Sequence, residues 1–200
     1  MVFVNNFRVI GIDLAASVKR DTGICILNNK LIARTFIVHK DEEVLDIIAG
    51  YSPKVVAIDA PLSIPKSRKN IYDRSGGHFR ECDLLLRKYG IRFFPITLGP
   101  MRKLTERGIL LKDIIEKKYG IEVIEVYPGG AQDVLGIPRK TKSIQCLYNG
   151  LRVLGIKGLN PGMTGDELDA VTAAYVAYLY VKGKVKLLKG EDGCIVMPKF

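Results

Sequence analysis

The chain has 200 residues, 48% of them hydrophobic and 26% charged, the balance of an ordinary globular protein rather than of a disordered or fibrous one. That length buries a sufficient core without staples, and the cysteines at 25, 82, 146 and 194 form no CxxC pair, so neither a zinc site nor a disulfide framework is implied. A formal net charge of +10 points to polyanionic partners, nucleic acid first among them, although a lysine-rich solvated surface carries charge in the same way.

No secretory leader pattern opens the sequence, and the apolar run VTAAYVAYLYV (171–181) is too short to span a bilayer. The expectation is a cytoplasmic protein with no membrane partner. FRVIGIDLA (7–15) is a β-branched run bounded by polar residues and reads as a buried strand. Thr22 to Leu27, a turn at Asn28-Asn29 and LIARTFIV (31–38) complete a three-stranded antiparallel meander. DEEVLDIIAGY (41–51) sets Val44, Leu45, Ile47 and Ile48 at helical spacing behind an acidic first turn. PKVVAIDAPLSIP (53–65) is the next strand, and the basic stretch 66–77, ending in Gly76-Gly77, reads as a mobile loop. Helices are expected at 78–89, 101–119 and 141–155, with a short strand at 121–128. NPGMTG (160–165) turns into a last helix, and the tail KVKLLKGEDGCIVMP (184–198) folds back as a hairpin around Glu191–Gly193. This order defines an α/β fold with a mixed sheet. The first strand becomes central, the meander lies on one side of it, and a parallel fourth strand lies on the other. One domain is expected over 1–200, with a helical insertion at about 66–120.

VIGIDLA and VVAIDAP both close an apolar run with isoleucine and aspartate, Asp13 and Asp59. On parallel neighbours about 4.8 Å apart, the two carboxylates leave the sheet at nearly the same height and repel unless a proton or cation intervenes. Each also reads as a turn aspartate, and Asp59 before Ala60-Pro61 suits an Asx turn. In the last helix, Thr164 and Glu167 fit a capping box, which accounts for Glu167. Asp166 and Asp169 share a helical face with Ala170, Ala173 and Ala177. Dipole complementarity contributes about 0.3–1 kcal/mol per acid and does not require aspartates on a buried face. Asp13, Asp59, Asp166 and Asp169 are therefore expected to converge. An oxygen-only set suits Mg²⁺ or Mn²⁺. Two such ions about 3.5–4 Å apart activate water and stabilise the leaving oxygen of a phosphodiester.

GIDLA, VAIDAPLSIP, RECDLLLRKYGI, IEVYPGGAQDVLG, GDELDAVTAAY and DGCIVMP together resemble domain-of-unknown-function family 429, over Arg8 to Pro198. Members of that family are described as predicted nucleases of the ribonuclease-H-like fold. GID and DELDA also resemble the first and last acidic motifs of RuvC-type Holliday-junction resolvases. The resemblance implies a ribonuclease-H-like sheet with helices on both faces. It also implies two-metal hydrolysis, with Asp13, Asp59, Asp166 and Asp169 as the catalytic and metal-binding acids. RuvC-type enzymes usually carry glutamate where Asp59 falls, so the metal reach here is shorter.

Further candidates are Glu125, on the expected fifth strand, and Arg80 with Asp83, one helical turn apart and suited to pairing with each other. PGGAQ (128–132) offers backbone N–H groups at a helix start. Basic residues also cluster at 138–142, while the basic segments 66–74, 87–92 and 101–108 are expected to supply phosphate contacts, with Lys66, Arg68, Lys69, Arg74, Arg102 and Lys103 as the expected nucleic-acid-binding residues. His39 and His78 are isolated and read as surface or packing residues. A metal-dependent nuclease acting on DNA or RNA is the leading reading, and a non-catalytic nucleic-acid-binding or regulatory module is the alternative. A phosphotransferase of the actin and sugar-kinase type fits less well, because the chain has room for one domain and no good glycine-rich nucleotide loop. The last helix is apolar nearly all round, so it is either deeply buried or partly in a subunit contact that makes an oligomer.

Overall fold

The computed structural model describes residues 6–199. Strands β1 (Arg8–Asp13), β2 (Thr22–Asn28) and β3 (Ala33–Val38) form the expected meander, and helix α1 (Asp41–Tyr51) crosses over to β4 (Val55–Asp59). Helices α2 (Glu81–Lys88) and α3 (Gly99–Tyr119) precede β5 (Glu122–Val126); α4 (Pro128–Val134), α5 (Ile144–Val153) and α6 (Gly165–Val181) follow, and β6 (Val185–Gly190) with β7 (Gly193–Pro198) close the chain. The sheet runs β3-β2-β1-β4-β5-β7-β6. β1 pairs antiparallel with β2 and parallel with β4, which is the reversal read from the sequence. The fold class is therefore a mixed α/β sheet with helices on both faces.

Alternation along the strands builds two cores. Ile10, Ile12, Ile24, Ile26, Val56 and Ile58 face one way, onto Val44 and Ile48 of α1 and Leu111 and Ile115 of α3. On each of those helices the buried pair is one turn apart, which gives an apolar stripe rather than an apolar cylinder. Val9, Cys25, Leu27, Val55 and Ala57 face the other way, onto α6. Val171, Ala173, Ala174, Val176 and Ala177 of that helix are wholly buried, because the sheet lies on one side of it and α4 and α5 on the other. Its all-round apolarity is thus answered within the chain, and a subunit contact is not needed to explain it.

Several boundaries moved, each for a local reason. β4 stops at Asp59 because Pro61 has no N–H to give a ladder. β3 starts only at Ala33, since Leu31 takes a left-handed φ of 59° and Asn28 Oδ1 accepts the N–H groups of Lys30 and Ile32. The tail is the expected hairpin, but β7 also pairs in parallel with β5, Glu125 opposite Ile195, so the hairpin extends the sheet. The loop 66–77 is tied down rather than loose: buried Arg68 donates to the carbonyls of Asp73, Gly76 and Gly77. Among the described residues no helix is long and apolar enough to cross a membrane.

Candidate active site

Strand register supplies the first two acids. Asp13 and Asp59 end β1 and β4 as direct register partners at the carboxyl edge of the sheet, the place where the strand order reverses. α6 supplies the next two, and it does so because glycines stand where it meets β1 and β2. A Cβ on Gly11 would meet Ala174 N at 2.1 Å and Ala170 O at 2.3 Å, and one on Gly23 would meet Asp166 O at 2.3 Å. Helix backbone therefore touches strand backbone, and the first turn of α6 is lowered onto the end of β1. The capping box fixes that turn. Thr164 Oγ1 accepts from Glu167 N at 3.2 Å, and Glu167 Oε2 accepts from Thr164 N at 2.9 Å. Glu167 is also held by Thr35 Oγ1, at 2.7 Å, which leaves Asp166 and Asp169 as the acids aimed at the strand ends.

What joins the acids is a residue absent from the sequence-derived set. Lys140 Nζ lies 2.9 Å from Asp13 Oδ2, 2.7 Å from Asp166 Oδ1 and 2.9 Å from Asp169 Oδ2. Its stem packs on Gly165, where a Cβ would meet Lys140 Cδ at 2.9 Å. A second unforeseen residue is buried Gln132, which donates to Asp169 Oδ1 at 2.6 Å and Thr172 Oγ1 at 3.0 Å. Its own Oε1 is buried without a hydrogen-bond partner. Among the described residues no three acids draw close enough to share a metal ion; Asp13, Asp166 and Asp169 are spaced around the ammonium instead.

Electrostatics follow from that crowding. Burial pushes the Asp13 carboxyl up from 3.8 to about 7, against the pull of Lys140 and with added repulsion from Asp169. Burial also raises Asp59 well above the usual carboxylate range, and Asp13 and Asp169 reinforce it. For Lys140, burial works against the charge, but Asp13 and Asp169 more than reverse this and hold the ammonium protonated. A cleft of about 470 Å³ opens beside these groups, lined by Asp13, Ala15, Arg20, Asp21, Lys140 and Asp166 among others. Buried Arg107 shapes its rim by donating to Ala15 O at 2.7 Å and His39 O at 2.9 Å while paired with Asp41.

Glu125, Arg80 and Asp83 come together, but as a separate cluster. Arg80 Nη1 and Nη2 donate to Glu125 Oε2 and Oε1 at 2.6 and 2.5 Å, and Nη2 also reaches Asp83 Oδ1 at 2.7 Å. Glu125 further accepts the Leu62 N–H at 2.8 Å, so its carboxylate is spent. The glycines of PGGAQ serve close packing, Gly129 against Arg139 and Gly130 against Tyr127 and Ile91. Of the expected phosphate contacts, Lys69, Arg74 and Lys103 are exposed and Arg102 half-buried. Lys66 bridges Glu81 and Glu191 at 2.6 Å each. Arg68 is the exception: it is buried on loop carbonyls, which removes it from the surface that phosphate would meet. His39 lies 2.9 Å from Asp21 and His78 2.7 Å from Thr97.

No family model matches the chain, and no curated protein matches it. Solved structures do. RuvC of T. thermophilus in complex with a Holliday junction substrate aligns with a TM-score of 0.53 at 15% identity, over 94% of this chain and 99% of that one. The fold is ribonuclease-H-like. Thermus thermophilus RuvC alone gives 0.49 at 16% identity over 88% and 96% of the chains. The yeast mitochondrial Holliday junction resolvase Ydc2 gives 0.42 at 12% identity over 83% and 75%. At such identities the likeness concerns the fold, and the chemistry has to be argued from this chain's own residues.

Proposed function

We propose that this protein is a divalent-metal-dependent nuclease hydrolysing phosphodiester bonds of DNA or RNA. The observation that carries this reading is the seat of Lys140: a cation held by carboxylates of Asp13, Asp166 and Asp169, with Asp59 in register beside Asp13. One positive charge is set against several carboxylates, and the donors are all oxygen, which fits a hard divalent ion such as Mg²⁺ or Mn²⁺. The unpartnered Oε1 of Gln132 adds a buried acceptor behind Asp169. When bound, one or two such ions supply an activated water and a counter-charge for the leaving oxygen. Asp13, Asp59, Asp166 and Asp169 would hold them. Gln132 and Thr172 orient Asp169, and Lys140 yields its seat and remains at the cleft as a phosphate contact. Exposed Lys69, Arg74, Lys103 and cleft-lining Arg20 give the salt-dependent attraction expected of a polyanion site. The motifs that resemble family 429 and the RuvC-type acidic motifs support the same chemistry.

The test is a cleavage panel of four-way junction, duplex, single-stranded DNA and RNA, with and without Mg²⁺ or Mn²⁺. The RuvC neighbour's junction complex makes branched DNA the first substrate to try. Cleavage should require the metal and should fall by on the order of 10³-fold in Asp13→Asn, with melting temperature showing that the variant folds. No product from any substrate with either metal would refute the reading. Lys140's seat also supports a second reading, a binding module whose acids are permanently neutralised. That reading expects no metal uptake and salt-dependent binding that survives Asp13→Asn.

A further inference from the structure

Beside the acid cleft lies a second concave surface with different chemistry. The last turn of α2 and the α2–α3 connection, together with Tyr127 and Arg139, enclose a hollow of about 560 Å³, within the roughly 300–1,000 Å³ typical of ligand sites. Its walls combine Arg87, Arg92 and Arg139 with Phe93, Phe94 and Tyr127. Most of these groups are fixed. Phe93 meets Phe79 edge-on at 5.7 Å between centroids, and Arg87 lies over the Phe79 ring at 4.5 Å. Tyr127 Oη donates to Arg92 O at 2.8 Å and accepts from Arg139 Nη1 at 3.1 Å, while Arg139 is also paired with Asp133. Phe94 is the exception. Its side chain is 68% exposed, an aromatic ring left in water at the mouth of an arginine-lined hollow. Phe93, Phe94 and Tyr127 also line a smaller cavity, about 180 Å³, whose wall includes Asp59. Phe93, Phe94 and Tyr127 therefore stand between the aromatic hollow and the cavity that Asp59 lines.

We propose that this hollow binds an unpaired nucleotide of single-stranded nucleic acid, with its base stacked on Phe94 and its flanking phosphates on Arg87 and Arg92. The strand would then pass Tyr127 toward Asp59. The proposal rests on the nuclease reading only for the class of ligand, nucleic acid. Stacking on an aromatic ring accepts any base, because every base has a π-face, whereas a base inside a duplex is already covered by its neighbours. Exposed Arg87 and Arg92 complement the backbone, and Arg139, already engaged by Asp133, forms the wall.

The experiment uses 2-aminopurine placed centrally in a single-stranded DNA, a single-stranded RNA and a DNA duplex, with the full chain in EDTA so that no cleavage occurs. Quenching of 2-aminopurine in either single strand, with binding tighter than to the duplex, is expected; comparing the two strands identifies the nucleic acid. Phe94→Ala should abolish the quenching and weaken single-strand binding about tenfold, with duplex binding and melting temperature unchanged, since the ring is largely exposed. Equal affinity for duplex and single strand, or quenching that persists in Phe94→Ala, overturns the proposal. Quenching without cleavage under any metal would refute the nuclease and leave this subsite standing, and cleavage indifferent to Phe94 would do the reverse.

Discussion

Arg80 and Lys140 each sit among carboxylates near the carboxyl edge of one sheet, yet their surroundings differ in nearly every respect. Arg80 is 1% exposed and grips Glu125 through both terminal nitrogens while also holding Asp83, whose Oδ2 in turn accepts the Arg80 N–H and caps α2. Lys140 has 32% of its side chain exposed and meets its three carboxylates through one rotatable ammonium at the wall of a cleft. A planar guanidinium locked in a fork is a fastener, whereas an ammonium on a flexible stem is exchangeable. The first cluster ties α2 to β5. The second sets three acids around one ammonium, the seat that a divalent ion would take from the lysine on the nuclease reading proposed above.

Removing the cation from each cluster should break the comparison open. Arg80→Met leaves Asp83 and Glu125 buried without their partner, and breaking a buried ion pair in this way costs about 3–5 kcal/mol. For a chain of this size that corresponds to a fall in Tm on the order of 10 °C. A loss near zero would show that the cluster is not the fastener described. Lys140→Met keeps most of the stem and removes the charge that competes with a divalent ion. Mn²⁺ affinity, measured calorimetrically at pH 8, should rise about tenfold, or about 1.4 kcal/mol. Unchanged or weaker affinity would mean that lysine and metal do not share a seat, and would favour the module with permanently neutralised acids.

The two clusters were not equally legible in the sequence. Strand ends carrying GID and AID announced Asp13 and Asp59, because alternation and parallel pairing are local rules whose outcome can be read in advance. Thr164 and Glu167 likewise announced the start of α6, and with it the facing of Asp166 and Asp169. Lys140 carries no such mark. It lies 26 residues before Asp166, in a basic segment indistinguishable from a solvated one, and only the folded path of the α4–α5 connection brings it to the acids. Arg68 and Arg107 were opaque for a related reason: their acceptors include backbone carbonyls, which every residue has and no sequence pattern displays. Docking of the C-terminal hairpin on β5 is non-local in the same sense.

Proton linkage gives the sharpest separation of the two clusters. The folded Asp13 carboxyl titrates at about 7, against 3.8 for the ordinary group. Between those values the folded chain binds more protons than the unfolded one, so stability contributed here falls as pH rises through the window and levels off above about 7. The slope from one such group is at most about 1.4 kcal/mol per pH unit, a few degrees in Tm. A divalent ion requires the ionised carboxylate, so the Mn²⁺-induced gain in Tm should grow from pH 5.5 to 7.5 and then flatten. In Asp13→Asn that growth should shrink, leaving only what the raised Asp59 carboxyl contributes. In Glu125→Gln, which leaves Asp13 and Lys140 in place, the gain should keep its pH dependence although the starting Tm is lower. A metal-induced gain that stays flat with pH in the wild type would place the ion away from Asp13. Assigning the exchangeable seat to Lys140 would then be wrong, even if Arg80→Met unfolds the chain as expected.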